Sequence, residues 1–365
     1  MAEIASSTLP ALARLPRPVQ WTVLLAGSLA LIELLELVHL PAALFLGPMI
    51  AAILMGVGEA KVRIPAPLFT TAQAVVGCLM ARALPAETFI ELVRDWPVYV
   101  LGIVSVMAVA AVLGIVLTRM KVLPGTTAVW GSAPRASTAM IVMADAYGAD
   151  ARLVAFMSYT RVVLVAIVAS IVSRLFAVGG VELAPAPWFP PVAVVPLVET
   201  LALIVVALVI ARIVKVPAGG MLVTMVLAIV LQDAAGMSIE LPPVLLAVAY
   251  TVVGWTVGLR FTREILVHAA RALPAILSSM VLLVAICGGF ALVLVWLAGV
   301  DPLTAYLATS PGGADSVAII AANSKVDMPF VMAMQAGRFI VVMFTGPMLA
   351  RFIATRIERR AAAPT

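Results

Sequence analysis

The sequence predicts an all-α polytopic membrane protein made of two inverted repeats, each with five transmembrane helices plus one re-entrant, broken helical segment. Three observations predict it. Of the 365 residues, 64% are hydrophobic and 11% charged, with a mean hydropathy of +1.18, whereas soluble domains are about half apolar and about a quarter charged. Apolar runs such as Val19–Leu37, Tyr99–Leu117, Val194–Ile210 and Ile276–Leu297 come close to or reach the roughly 20 residues a helix needs to span hydrocarbon. Strand-like alternation is absent from these runs, so helices are expected. The third observation is that the chain matches itself when shifted by 177 residues.

Residues 1–18 are expected to be a cytoplasmic N-terminus. Arg14 and Arg17 precede the first apolar run in the manner of a signal peptide. That run is as long as a span, leads directly into another apolar segment and shows no small-residue cleavage site, so it is expected to stay as the first helix. The first repeat, 19–176, has helices expected near 19–37, 41–58, 65–82 and 97–118, an interrupted segment at 124–147 and a long helix at 152–173. Residues 177–191, rich in Gly and Pro and carrying Glu182 and Trp188, read as an interfacial linker. The second repeat, 192–355, has helices expected near 194–213, 219–235, 242–259 and 273–299, an interrupted segment at 302–324 and a helix at 328–354. A short polar tail, 356–365, is expected in the cytoplasm.

The duplication rests on residue types that apolar composition does not supply. At a shift of 177, Arg161 falls on Arg338, Arg174 on Arg351, Pro134 on Pro311, Gly77 on Gly254 and Pro65 on Pro242. At a shift one residue shorter, Val38, Pro41 and Ala42 match Val214, Pro217 and Ala218.

Basic residues then choose the topology. If each interrupted segment enters and leaves on one side, each half crosses five times, and 16 Lys and Arg lie inside against 4 outside. The outside set is Arg82, Arg94, Arg174 and Lys325, while Arg135, Arg161 and Arg338 lie at membrane depth. If the interrupted segments cross fully, the division becomes 11 against 9. The positive-inside rule favours five crossings. An odd number per half makes the second repeat inverted. Inverted repeats with equivalently interrupted helices are the architecture of secondary transporters, whose sites lie at the repeat interface near the midplane.

Two polar islands inside apolar sequence mark the candidate site: Gly131–Thr138 and Thr309–Ser316. Backbone freed by Gly and Pro at membrane depth costs several kcal/mol per group in lipid, so it must face protein or a wet cavity. Half-helix N-termini following Pro134 and, after Gly312, Gly313 would offer N–H groups to an anion. The hydroxyls of Ser132, Ser137, Thr309, Ser310 and Ser316 add ligands for a solute or ion. Arg161 and Arg338, about ten residues into the following helices, need partners at a depth where an unpaired guanidinium costs at least roughly 2.5–3.5 kcal/mol. The candidates are carbonyls of the broken segments, Asp315, or a bound anion. Asp315 is the candidate coupling carboxylate. Its repeat mate is Thr138, and Arg135 falls on Gly312, so the copies differ in charge and an Arg135–Asp315 approach is expected across the pseudo-twofold axis. Glu33 and Glu36, three apart on one helix face, read either as entrance lining or as interfacial residues. Gln73 and Tyr250, at equivalent positions, and Gln335 are expected to add polar lining.

Absences shape the reading as well. Cys78 and Cys287 lie in apolar runs and read as buried hydrophobes. The two histidines, His39 and His268, sit near helix ends, and the lone Glu36-x-x-His39 is one motif where a di-iron bundle needs two plus further carboxylates. No cofactor or metal is expected, nor a phosphate loop or a Ser/His/Asp arrangement.

The duplicated pattern resembles the AbrB-duplication membrane family. It is carried by Leu46-Gly47-Pro48-Met49, Gly131-Ser132-Ala133-Pro134-Arg135-Ala136-Ser137, Ser310-Pro311-Gly312-Gly313 and Gln335-Ala336-Gly337-Arg338-Phe339, and it covers nearly the whole chain. Proteins of that family carry the labels ammonia monooxygenase or AbrB family transcriptional regulator. The resemblance therefore implies a link to regulation of gene expression without a mechanism. Three functions compete: a secondary transporter of a small anionic solute, a membrane sensor or regulator affecting gene expression, and a membrane ammonia monooxygenase. The first fits the repeats and buried arginines, and the last lacks a metal-ligand set, so the chain is expected not to be an enzyme. Expected partners are the lipid bilayer, a small-molecule or ion substrate and a second copy in a homodimer, without direct nucleic-acid binding. The expected location is a bacterial inner (cytoplasmic) membrane, multi-pass, with both termini cytoplasmic.

Overall fold

The computed structural model describes residues 12, 15–40, 42–85, 88, 90, 93–120, 123, 126–132, 144, 149–176, 188–214 and 218–362. Helix is the only regular secondary structure among them. In chain order the helices are α1 (Arg17–Leu37), α2 (Ala43–Val57), α3 (Ala66–Arg82), α4 (Trp96–Arg119), α5 (Thr127–Ser132), α6 (Ala151–Phe176) and α7 (Val194–Val214). There follow α8 (Gly219–Ala235), α9 (Pro243–Gly258), α10 (Arg263–Ala269), α11 (Leu273–Ala298), α12 (Pro302–Thr309), α13 (Ala314–Ala322) and α14 (Met328–Ala362). Five of them, α1, α4, α6, α7 and α11, are long and apolar enough to cross a membrane by length and composition. The helix α10, bent by 50° from α9, was not anticipated from the sequence, and α14 runs on through residues expected to form a tail.

Proline opens α1, α3, α4, α9, α11 and α12, a position where its missing N–H would have been an orphan donor in any case. The helix starts Arg17, Ala66, Trp96 and Ala151 recur 177 residues later as Val194, Pro243, Leu273 and Met328, and Ala43 recurs 176 later as Gly219. The recurrence extends to unusual backbone. Ala42 and Ala218, the N-caps of α2 and α8, both lie in the left-handed region, with φ of 62° and 52°.

The helices group into two bundles. The first three of each half, α1–α3 and α7–α9, pack together, with α2 on α9 and α3 on α8 as their most extensive contacts. The remainder, α4–α6 and α11–α14, form a second bundle around the contact of α4 with α11. Glycine lets the first bundle close. A Cβ on Gly254 would lie 2.7 Å from the Phe45 carbonyl, and one on its mate Gly77 would lie 2.5 Å from the Met221 carbonyl. Small residues allow such backbone approach where van der Waals packing, in place of hydrophobic force, drives helix association. On α9, Gly254 meets Phe45 and Gly258 meets Met49, so α2 and α9 run parallel.

Polar contacts gather the connections at two ends. At one end Arg263 donates to Glu59 at 3.2 Å, Arg152 pairs with Glu264 at 3.0 Å and His268 meets Asp150 at 2.6 Å. At the other, Ser173 near the end of α6 bonds Ser324, just before α14, at 2.7 Å. Thus α6 finishes where α14 starts.

Replacing Gly254 with Leu should overpack the α2–α9 crossing and cost about 1–3 kcal/mol, read as a lower unfolding midpoint in detergent. Gly289→Leu, where a Cβ meets nothing within 4 Å, should leave the midpoint close to wild type.

Candidate functional site at the broken helices

Residues 302–322 form two short helices in place of one span. Asp301 starts α12, its Oδ1 accepting from the N–H groups of Leu303 and Thr304 at 3.0 Å each. The helix stops at Thr309 because Pro311 cannot donate the next ladder bond and Ser310 turns extended, with φ −59° and ψ 132°. After four intervening residues α13 begins. Its distal end comes back to the starting level, since the Asp327 N–H donates to Thr304 Oγ1 at 2.9 Å. The first half repeats the arrangement: the Asp150 N–H donates to Thr127 Oγ1, in the first turn of α5, at 3.1 Å. Both aspartates also cap the next helix, Asp150 Oδ1 accepting from Leu153 N–H at 3.1 Å and Asp327 Oδ1 from Phe330 N–H at 3.0 Å. These two Thr–Asp pairs went unremarked in the sequence, although each coincides with its mate at the same 177-residue shift.

The break itself is buried. Ser310 is 0% exposed, Thr309 and Ser316 are 1%, and Gly312 and Gly313 are buried with them. Gly312 is required sterically, because a Cβ there would lie 2.7 Å from Val165 of α6. Hydroxyl hydrogens are committed to local carbonyls: Thr309 to Ala305 at 2.9 Å, Ser310 to Leu307 at 3.1 Å and Ser316 to Gly313 at 2.9 Å. Each oxygen keeps lone pairs for a donor or cation. Asp315 is half-buried in the first turn of α13, where Oδ1 accepts from the Ser316 N–H at 3.0 Å. A carboxylate there is favoured by the positive end of the helix dipole.

Arg338, 3% exposed, clamps the break. Nη1 donates to the Ser310 carbonyl at 2.6 Å, and Nη2 donates to the Gly312 carbonyl at 3.2 Å and to Gln335 Oε1 at 2.5 Å. Gln335, 0% exposed, is a support for this guanidinium and not a wall residue, because its Nε2 donates to the Leu307 carbonyl at 2.7 Å. Of the three partners considered for the buried arginines, the structure supplies carbonyls of the broken segment. The same holds in the first half, where Arg161, also 3% exposed, donates to the Ser132 carbonyl at 3.2 Å. Ser132 is fully buried and its hydroxyl donates to Val129 at 3.4 Å. Thr309 Oγ1 also lies 3.3 Å from the Cys287 carbonyl of α11, which ties the end of α12 to that helix.

Pro134, Arg135 and Ser137 lie outside the described residues. Glu33 is exposed on α1, Gln73 half-buried on α3 and Tyr250 buried on α9, all three in the first bundle. Among the described residues no group of three or more His, Cys, Asp or Glu side chains converges.

Removing the clamp by Arg338→Ala would orphan two carbonyls and the Gln335 oxygen, an expected loss of roughly 3–5 kcal/mol in a denaturant titration. Arg338→Lys should lose less, since it keeps the charge but cannot bridge two carbonyls with a planar fork.

Comparison with known proteins agrees with the resemblance seen in the sequence. A family model described as "Transition state regulatory protein AbrB" matches residues 44–354. A protein of Escherichia coli (strain K12) named "Putative regulator AbrB" is 44% identical over 346 residues, covering 94% of this chain and 99% of its own. The chain belongs to the AbrB family.

Proposed function

We propose that the protein is a non-enzymatic, secondary-transporter-like membrane protein that moves a small anionic solute through a site between two inverted halves. One observation carries this reading: buried Arg338 grips two carbonyls of the broken segment of the second half, and buried Arg161 at the equivalent position donates to the Ser132 carbonyl at the end of α5. Irregular backbone at membrane depth, presented by inverted repeats, is how transporters build midplane sites. The Arg338 clamp fixes the break of the second half, and its buried charge with the dipole of α13 favours an anion. Asp315 is the acid that a coupling cation or proton would neutralise.

The inverted topology is supported by contacts that tell the two crossing schemes apart. Full crossing of the interrupted segments would put Glu59 and Arg263 on opposite faces, about 30 Å apart, whereas they touch at 3.2 Å. It would equally separate Ser173 from Ser324, which share a hydrogen bond. In the five-crossing scheme each pair shares a side, with the Glu59 end facing the cytoplasm of a bacterial inner membrane. The division into two bundles gives the parts that rigid-body alternating access would move.

The word regulator in the name of the E. coli relative favours a second reading, a membrane sensor or regulator affecting gene expression. Transport can produce such an effect indirectly by changing the level of a solute. Reconstituted in liposomes, the wild-type chain should show saturable uptake of a small organic anion chosen by thermal stabilisation against a metabolite panel. Asp315→Asn should reduce that uptake at least tenfold. Unchanged flux in both Asp315→Asn and Arg338→Ala would remove the proposed site, and an effect on expression that survives loss of flux would favour the regulator.

A further inference from the structure

Asp150 makes contacts that its repeat mate Asp327 does not share. Its N–H holds Thr127 at the base of the first broken segment, and its Oδ1 caps α6 through Arg152 at 3.0 Å and Leu153 at 3.1 Å. Its remaining oxygen, Oδ2, meets His268 Nε2 of α10 at 2.6 Å. One residue, through its backbone N–H and its carboxylate, thus joins Thr127 of α5 and the start of α6 to a short helix of the other half. The backbone bond to threonine and the helix cap recur at Asp327. The imidazole does not, because the position 177 residues before His268 is Glu91, an acid that supplies no cation to a carboxylate.

We propose that the Asp150–His268 pair is a proton-sensitive latch that fastens the base of the first broken segment to α10 when His268 is protonated and releases it when the imidazole is neutral. Imidazole is the side chain whose charge changes across the neutral range. The charges around it come from every element packed on α10. On α6 they are Asp150 and Arg152; on α10 itself, Glu264 and Arg263; at the end of α2, Glu59. Arg152 is occupied by Glu264 at 3.0 Å and Arg263 by Glu59 at 3.2 Å. Arg260 lies over the Tyr159 ring at 5.0 Å. Arg152, Glu264, Arg263 and Glu59 thus pair with one another, Arg271 follows α10 three residues after His268, and Asp150 faces the imidazole. Side-chain exposures of 40% for His268 and 24% for Asp150 keep the pair open to solvent protons.

Burial alone would raise the Asp150 carboxyl; the His268 hydrogen bond and charge, with the N–H groups of Leu153 and Arg152, outweigh it and hold the carboxyl below its usual range. The sign follows. A depressed carboxyl contributes stability above its unfolded pKa and loses it as pH falls through the folded one, well into acid. A carboxyl held low stays charged across the neutral range, where an imidazole side chain ordinarily loses its charge as pH rises.

Hydrogen exchange of the full chain in lipid nanodiscs, corrected for the intrinsic pH dependence of exchange, reads the latch whether or not any solute moves. Protection of amides in 126–132 and 151–157 should fall about fivefold from pH 6 to 8.5, the scale of one partly exposed ion pair. The equivalent amides in 328–334 should not change. His268→Gln, which keeps a donor but does not titrate, should be flat across that range. A flat wild-type profile, or the same fall in His268→Gln or His268→Ala, would overturn the latch and leave the transport site untouched.

Discussion

The structure depends on one constraint: a backbone broken at membrane depth must have its carbonyls satisfied by protein. Water is absent there, and each orphaned group costs several kcal/mol. The chain answers with Arg338, whose two terminal nitrogens span the carbonyls of Ser310 and Gly312 while Gln335 fixes the guanidinium from its own helix. Arginine suits this role because its donors form a rigid planar fork and its charge persists on burial. The clamp and the break explain each other. A straight helix would offer Arg338 no free carbonyls, and a break without Arg338 would leave them bare.

Around that constraint the two bundles divide the labour. The first, built on α2–α9 and α3–α8, closes through glycine: Gly254 and Gly77 bring helix backbones together where any side chain would collide with a carbonyl. The second carries the break at residues 310–313, both buried arginines and the two threonine–aspartate bonds, Thr127 with Asp150 and Thr304 with Asp327. Close packing of the first bundle makes it a frame.

Duplication provides equivalent scaffolds, and divergence provides the differences between them. Helix starts, left-handed caps and Thr–Asp pairs recur, because all of them serve backbone geometry that both halves share. Some ionisable side chains do not: Asp315 has Thr138 as its mate, and His268 has Glu91. A device with equal halves would have no preference between its two sides. These positions are where a preference can enter.

Much of this was legible in the sequence. Apolar helices of spanning length, the 177-residue repeat, the break after Thr309 and the burial of Arg161 and Arg338 follow from apolar run length, from coincident Arg, Pro and Gly, and from the cost of charge in hydrocarbon. What sequence could not decide was whom those arginines face. Carbonyls, a carboxylate and a bound anion all suit a guanidinium, and only the placement of α13 and α14 gave Arg338 the carbonyls of Ser310 and Gly312. Gln335 read as lining for the same reason, since a polar residue on an apolar helix does not reveal whether it meets a cavity or a neighbour. The Asp150–His268 contact spans 118 residues and depends on the bend between α9 and α10. Periodicity and composition are local properties of a chain, whereas these pairings are set by how its two halves interlock.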